Sequence, residues 1–324
     1  MQISTDPITI PINSHDDEFA LEVINGLQQK NKAIPSRFLY DYKGSVLFEE
    51  ITDLKEYYPT RTEISLLKTY SDEIATIAGG NVALIEFGSG SSKKTKYVIN
   101  SLDQVHSYVP IDISSSALDD AKDDLQDCFP DIDINPIHAD FTQPFDLPEL
   151  LKENYHLGFF PGSTIGNFVP EDAIEFLKSA KEILGSKSGL VIGVDLLKSP
   201  DILIPAYDDA EGVTAAFNLN LLARINRELG GDIDVSAFRH KAIYNSQAQR
   251  IEMHLESLVD QNASILGQDF SFTKGESIHT ENSHKYTTDS FCALAEAAGW
   301  KRLKYWTDQA NLFSIHYLVP NNTN

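Results

Sequence analysis

A glycine turn directly after an apolar stretch is the first place in this sequence that could bind a cofactor. Residues 82–87, VALIEF, run into Gly88 and Gly90. Turns that bind dinucleotides repeat glycine as G-x-G-x-x-G, because the backbone must approach a pyrophosphate closely. Lys93 stands where the third glycine would be. The turn therefore predicts a nucleotide-like ligand and disfavours a dehydrogenase; the alternative is an ordinary strand-to-helix turn.

Further residues suit an adenosyl ligand. Asp112 ends the next predicted strand, where a carboxylate can accept hydrogen bonds from both hydroxyls of a ribose. Glu86 places an acid before the glycines, which is typical of loops that bind S-adenosylmethionine. Asp140 and Phe141 end the third predicted strand and suit the amine and the ring of adenine. Lys94 could contact a ligand carboxylate, although its spacing alone favours a solvated helix lysine.

Alternating strands and helices must position these residues. Helical spacing of apolar residues follows Pro59, opened by a capping-box pattern at Thr60 and Glu63. Predicted strands, separated by helical segments, are 82–87, 107–112, 131–141, 155–163 and 189–197, with Ser114 and Pro170 opening two of the helices. A helix over 291–300 and a hairpin over 301–308 and 312–320 close the pattern. This order predicts an α/β fold, a doubly wound, mostly parallel sheet of the S-adenosylmethionine methyltransferase type.

The alternation is interrupted after Leu197. Residues 198–285 are helical first and strand-like afterwards. We assign residues 60–197 and 286–324 to a cofactor-binding domain. Residues 14–59 and 198–285 form the predicted inserted α+β lobe, which would bind the substrate.

Composition excludes several classes of partner. The net charge is −22, and the longest basic cluster is Lys93–Lys96, so we expect no nucleic-acid partner. Two distant cysteines support neither a disulfide framework nor a cysteine metal site. His279 and His284 are interpreted as solvated loop histidines, so we expect no metal. No membrane span or secretory signal is recognised, and we expect a cytoplasmic monomer without a membrane partner.

Three stretches carry a resemblance to a known family: residues 36–63, 159–168 (FFPGSTIGNF) and 206–229. They resemble the histidine-specific Nα-methyltransferases of ergothioneine biosynthesis, and the similarity runs from about residue 30 to the end. The resemblance implies an enzyme that transfers three methyl groups from S-adenosylmethionine, its co-substrate, to the α-amine of L-histidine, giving hercynine.

The resemblance also implies roles for individual residues, and it reverses the interpretation of Lys94. Tyr40 would lie near the reacting amine, and Asn167 would share the catalytic role while anchoring the carboxylate or amine. The residues implied to bind the cofactor are Gly88, Lys94, Asp112, Asp140 and Phe141. Those implied to bind the substrate are Tyr57, Glu281 and Ser283 at the imidazole, Asn167 and Tyr207 at the carboxylate and amine, Gly162 on the amine side and Met253 lining the pocket.

Methyl transfer to an amine constrains how such a site can hold its substrate. The amine must offer a lone pair aligned with the methyl group, so it must lose its proton before each transfer. A trimethylammonium donates no N–H hydrogen bond, so the carboxylate and the side chain must provide the anchoring. Two alternatives stay open: another aromatic acceptor, tryptophan or tyrosine, and a non-catalytic module that binds S-adenosylmethionine. An apolar residue at position 281 would favour an indole, whereas a carboxylate there favours an imidazole.

Overall fold

A mostly parallel β-sheet positions the predicted cofactor turn. The computed structural model describes residues 15–90, 92–112, 115–141, 145, 147–148, 151 and 154–321. Its strands in this part are β1 (Val82–Phe87), β2 (Val105–Asp112), β3 (Asp133–Ile134), β4 (Ile137–His138), β5 (Tyr155–Phe160) and β6 (Ser188–Asp195). All residues of β1 and β6 are buried, which explains why both strands are apolar except for Glu86, Ser188 and Asp195.

Helices cover both faces of this sheet. They are α3 (Tyr58–Ala78), α4 (Thr95–Ser101), α5 (Ser115–Cys128), α6 (Pro170–Leu184) and α9 (Thr288–Ala297). Pro170 lies in the first turn of α6, as predicted. Two hydrophobic clusters, one on each face, draw on residues between 66 and 194 and between 286 and 318.

An antiparallel hairpin completes the sheet. Strands β12 (Trp300–Thr307) and β13 (Phe313–Pro320) pair with each other, and β13 also pairs antiparallel with β6. Among the described residues the order is β12-β13-β6-β5-β1-β2-β3, with β4 also on β2. The predicted fold class is therefore confirmed, and the predicted third strand, 131–141, is two short strands.

The other elements pack around a separate core. They are α1 (His15–Gln28), α2 (Tyr42–Asp53), α7 (Pro200–Tyr207) and α8 (Val213–Leu229), with β7 (Phe238–Asn245), β8 (Arg250–Ser257), β9 (Gln261–Ile265), β10 (Gln268–Phe272) and β11 (Ser277–His284). Strands β11, β8 and β7 form an antiparallel sheet. One hydrophobic cluster joins residues 19–58 to residues 203–278. This grouping supports the two predicted units, whose boundaries stay a prediction.

The predicted capping box at the start of α3 is wrong. The helix begins earlier, at Tyr58, and Tyr57 precedes it without a side-chain cap. Pro59 lies within the first turn, where its missing N–H costs nothing. Glu63 is consequently inside the helix and buried, which frees its carboxylate for another role. Ser114, the other predicted cap, lies outside the described residues.

Across the residues that the structure describes, no helix is long and apolar enough to cross a membrane.

Candidate active site

A cavity of about 1140 Å³ lies at the carboxyl ends of the parallel strands, the edge where open α/β sheets bind ligands. It brings together residues that are far apart in the sequence. Every predicted site residue except Met253 lines it: Tyr40, Tyr57, Gly88, Lys94, Asp112, Asp140, Phe141, Gly162, Asn167, Tyr207, Glu281 and Ser283.

Met253 does not line the cavity, contrary to the prediction. It faces Glu281 across the β8–β11 ladder, but its side chain is 2% exposed and belongs to the hydrophobic core. Met253 therefore supports the strand that carries Glu281 and does not line the cavity.

The glycine turn has the conformation that its sequence predicts. Gly88 and Gly90 have φ values of 73° and 46°, in the left-handed region that favours glycine. A Cβ atom on Gly88 would lie 3.5 Å from the ring of Phe141. The Gly90 N–H donates to the carboxylate of Asp112 at 3.5 Å. The turn, the acid and the ring thus form one surface, whose donor and acceptor types fit an adenosyl group.

Glu86 lies beneath this turn. Thr95 donates to its Oε2 at 2.7 Å, and Tyr108 donates to the same oxygen. Burial raises the pKa of Glu86 to about 8. Its proton therefore titrates near neutrality.

Glu63 contacts one residue predicted to bind the cofactor, Lys94, and one predicted to bind the substrate, Gly162. Its Oε2 lies 2.7 Å from Nζ of Lys94, and both of its oxygens accept from the N–H of Gly162, at 3.0 and 2.9 Å. Gly193 on β6 makes room for it, since a Cβ there would lie 2.1 Å from Glu63 Oε1. This role of Glu63 is not predicted from the sequence. The available signal was a glutamate on the same helix face as Leu66 and Leu67.

The part of the cavity predicted to bind the substrate is lined by neutral phenols. Tyr57 and Tyr207 are each 8% exposed and make an edge-on contact with ring centroids 6.1 Å apart. Tyr40 packs edge-on against Phe48 and Phe217. Burial raises the pKa of all three tyrosines well above the usual value. Their hydroxyls can therefore donate hydrogen bonds at any physiological pH.

Asn167 ends a short 3-10 helix, Thr164–Asn167, that follows Gly162. The preceding Ser163 has a φ of 58°, and its hydroxyl accepts from the N–H of Asp195 at 2.8 Å. A Cβ on Gly166 would lie 2.8 Å from the carbonyl oxygen of His284. This close packing fixes the loop that carries Asn167.

Glu281 on β11 is a buried carboxylate in the cavity wall. It is 9% exposed, and its Oε2 has no hydrogen-bond partner within the described part of the chain. Burial raises its pKa to about 8, although the Lys285 ammonium acts in the opposite direction. A buried acceptor without a partner is costly, which points to a ligand that donates to it.

A buried ionic network lies behind the part of the cavity predicted to bind the substrate. Its charged residues, Asp195, Lys198 and Lys285, are not predicted from the sequence. The ammonium of Lys285 lies 2.7 Å from Asp195 Oδ2 and donates to the hydroxyls of Tyr207 and Ser283 at 2.8 and 2.7 Å. Lys198 lies 2.5 Å from the other oxygen of Asp195. Although burial acts to raise it, the two lysines hold the pKa of Asp195 below its usual range. Two cations around one anion leave a net positive charge.

The histidines interpreted as loop residues lie on β11, and His284 is 5% exposed. The ring of His279 stacks on that of His254 with centroids 4.9 Å apart. Together with Glu252 they place three possible metal ligands within 4.8 Å of one another. Glu252 is already paired with Arg250 at 2.6 Å. The absence of a metal stays a prediction.

Glu86 and Glu281 predict how the stability of the ligand-free protein depends on pH. The folded protein holds their protons up to about pH 8, whereas an unfolded carboxyl releases its proton near 4.5. The contribution of these two carboxyls to the free energy of unfolding should therefore fall as the pH rises from about 5 to about 8. Glu86→Gln keeps the accepting oxygen and cannot ionise, so over this range the wild type should lose on the order of a few kcal/mol of stability relative to the variant. Urea unfolding of both proteins at several pH values measures this difference; a difference that does not change with pH would contradict the prediction.

Known proteins similar to this chain include methyltransferases that use S-adenosylmethionine. Residues 19–320 match the family described as histidine-specific methyltransferase, SAM-dependent. The histidine N-alpha-methyltransferase of Mycolicibacterium smegmatis is 38% identical, over 92% of this chain and 94% of that protein. Ergothioneine biosynthesis protein 1 of Neurospora crassa is 28% identical over 89% of this chain, which spans 33% of that longer protein.

Among solved structures, a S-adenosylmethionine-dependent methyltransferase from Clostridium acetobutylicum is similar with a TM-score of 0.46 and 9% identity, over 79% of this chain and 92% of that one. The family match covers nearly all of the sequence. The chain belongs to the histidine-specific, S-adenosylmethionine-dependent methyltransferases.

Proposed function

We propose that this protein transfers three methyl groups from S-adenosylmethionine to the α-amine of L-histidine, giving hercynine, as a step of ergothioneine biosynthesis. The family match and the similarity to a histidine N-alpha-methyltransferase support this activity. The similarity to an ergothioneine biosynthesis protein supports the pathway.

The observation that carries the substrate assignment is the unpartnered oxygen of Glu281. A buried carboxylate in a cavity wall selects a ligand with an N–H group at that point. An imidazole and an indole have such a group and a phenyl ring does not, but only the imidazole has a second ring nitrogen. Ser283, two residues along the same strand, would bind the second imidazole nitrogen, and Tyr57 would close over the ring.

S-adenosylmethionine supplies the methyl group as an electrophile, and the residues at the sheet edge fit it. Asp112 would accept from the ribose hydroxyls, and Asp140 and Phe141 would bind the adenine. Lys94, held by Glu63, would face the carboxylate of the methionine part. Lys94, Asp112, Asp140 and Phe141 line the same cavity as the residues proposed to bind the substrate.

The protein must orient the α-amine of the substrate although each methyl transfer removes one of its N–H groups. Tyr207 and Asn167 would donate to the carboxylate of histidine, which all three transfers leave unchanged. Tyr40 would lie beside the amine as a neutral phenol. Since no strong base is required for a positioned amine, protons would leave through water.

The direct test incubates the protein with S-adenosylmethionine and each of the twenty amino acids, followed by mass spectrometry. We expect histidine to gain one, two and finally three methylene increments. If tryptophan or tyrosine is methylated in preference to histidine, that amino acid is the acceptor and the proposed substrate is wrong. A non-catalytic module would bind S-adenosylmethionine in a titration without any histidine-dependent turnover.

Histidine should protect the proposed substrate lobe from hydrogen exchange. With the cofactor present, we expect slower exchange around Tyr207 and in residues 279–283, because closure over the ligand excludes water. The measurement is exchange followed by mass spectrometry, with and without histidine. Protection restricted to residues 82–141 would show that residues 198–285 do not bind the substrate.

The monomeric state, the cytoplasmic location and the absence of nucleic-acid and membrane partners stay predictions.

A further inference from the structure

The hydroxyl groups of Tyr207 and Ser283 form a pair whose hydrogen bonds can be counted. Their oxygens lie 2.7 Å apart, and the ammonium of Lys285 donates to both. A lysine ammonium has only donors. One of the two hydroxyl protons must therefore lie between the two oxygens. The pair has a single proton left to direct into the cavity.

That proton belongs to Tyr207 if its phenol binds the substrate carboxylate, because a carboxylate only accepts. Ser283 then donates to Tyr207, accepts from Lys285 and keeps one lone pair for a ligand. Toward the ligand, Ser283 is an acceptor. This step rests on the proposed function, in which Tyr207 anchors the carboxylate of histidine.

We infer that Lys285 is a positioning residue that fixes Ser283 as a hydrogen-bond acceptor toward the ligand. A bound imidazole then carries a proton on the nitrogen that faces Ser283. Its other nitrogen shares a second proton with Glu281. The pair formed by Glu281 and the imidazole then holds one proton more than a carboxylate beside a neutral ring. The imidazole is bound as an imidazolium, or as a neutral ring beside a protonated Glu281.

The charges around Glu281 are compatible with this extra proton. Lys285 is the cation that acts on it, and Asp195 holds that cation from behind. Tyr40, Tyr57 and Tyr207 face it as neutral phenols. Nε2 of His279 lies 3.0 Å from the backbone oxygen of Glu281. Since burial raises the pKa of Glu281 to about 8, this carboxyl is already mostly protonated at neutral pH before a ligand binds.

The test measures protons taken up when hercynine binds to the complex with S-adenosylhomocysteine. Hercynine is suited to this because its trimethylammonium group cannot titrate. Calorimetry at about pH 8.5, in buffers of different ionisation enthalpy, gives the number of protons exchanged. With Glu281 mostly ionised and the free imidazole neutral, we expect an uptake of about three quarters of a proton per site.

If a neutral imidazole binds to ionised Glu281, binding should instead release the proton that Glu281 partly holds at this pH, about a quarter of a proton per site. Proton release by the wild type would overturn the inference. Failure of hercynine to bind the wild-type complex at all would instead overturn the proposed function on which it rests.

Lys198 provides the matched control. It contacts the same Asp195 but neither hydroxyl, and burial lowers its pKa to about 8, so it could itself take up a proton. Lys198→Met should keep the uptake. Loss of the uptake in this variant would assign the proton to Lys198 and overturn the inference.

Lys285→Met should turn uptake into release, because the two hydroxyls are no longer held together and Ser283 is free to donate to a neutral ring. Circular dichroism and the affinity for S-adenosylhomocysteine report whether this variant is folded. If it is not, Ser283→Ala makes the same test, since it removes the acceptor and leaves Lys285 in place. Wild-type uptake in Ser283→Ala would overturn the inference.

Discussion

Replacing Asp112 with alanine should raise the dissociation constant of S-adenosylmethionine at least about thirtyfold. Asp112 ends β2 in the cavity wall, next to the glycine turn. Losing two charge-assisted hydrogen bonds to a ribose costs on the order of 2–5 kcal/mol. Titration calorimetry measures the change directly.

The control for Asp112→Ala is Asp103→Ala. Asp103 is exposed, is not part of the cavity wall and carries the same charge. It should leave the affinity unchanged. Equal affinities of both variants and the wild type would show that the cofactor is bound elsewhere.

Glu281→Ala should lower kcat/KM for histidine about ten- to hundredfold. The substitution removes the acceptor for one imidazole nitrogen in a buried wall, a loss of roughly 1.5–3 kcal/mol for a charged acceptor. The affinity for S-adenosylmethionine should stay nearly unchanged, because the cofactor residues lie on other strands. Selectivity should relax, since the cost of burying an indole against a carboxylate disappears.

Kinetics with histidine and with tryptophan, together with the cofactor dissociation constant, measure both effects. Glu281→Gln is the matched variant, because it keeps an accepting oxygen and removes only the charge. It should retain more activity than Glu281→Ala. Unchanged histidine turnover in Glu281→Ala would mean that another residue recognises the acceptor.

The cofactor side of the cavity was predictable because its signals are local. A buried strand, two glycines with positive φ and an acid at the end of the next strand are each visible in a few consecutive residues. Parallel strands then place these ends side by side. The residues proposed to bind the substrate were inferred from resemblance alone, since a lone tyrosine or glutamate has no spacing that marks it.

The residues behind the site could not be predicted in this way. Glu63 and Lys94, and likewise Asp195 and Lys285, become partners only when distant elements pack together. The pattern around Glu63 even matched a helix cap, because Thr60 and Glu63 have the required spacing. His279 and His284 were interpreted as loop residues because HTENSH is polar, whereas a strand between a core and a polar cavity needs such residues.

The position of β13 in the sheet has a consequence for how the chain folds. It lies between β12 and β6, so β6 obtains one of its two neighbours only after the whole segment from α7 to β12 has been made. Pairings between residues so far apart in the chain are slow to form, because a large loop must close first. During synthesis on the ribosome, the β6 edge therefore stays open while its apolar residues are already present. We expect this edge to be the place where an incompletely synthesised chain aggregates or recruits a chaperone.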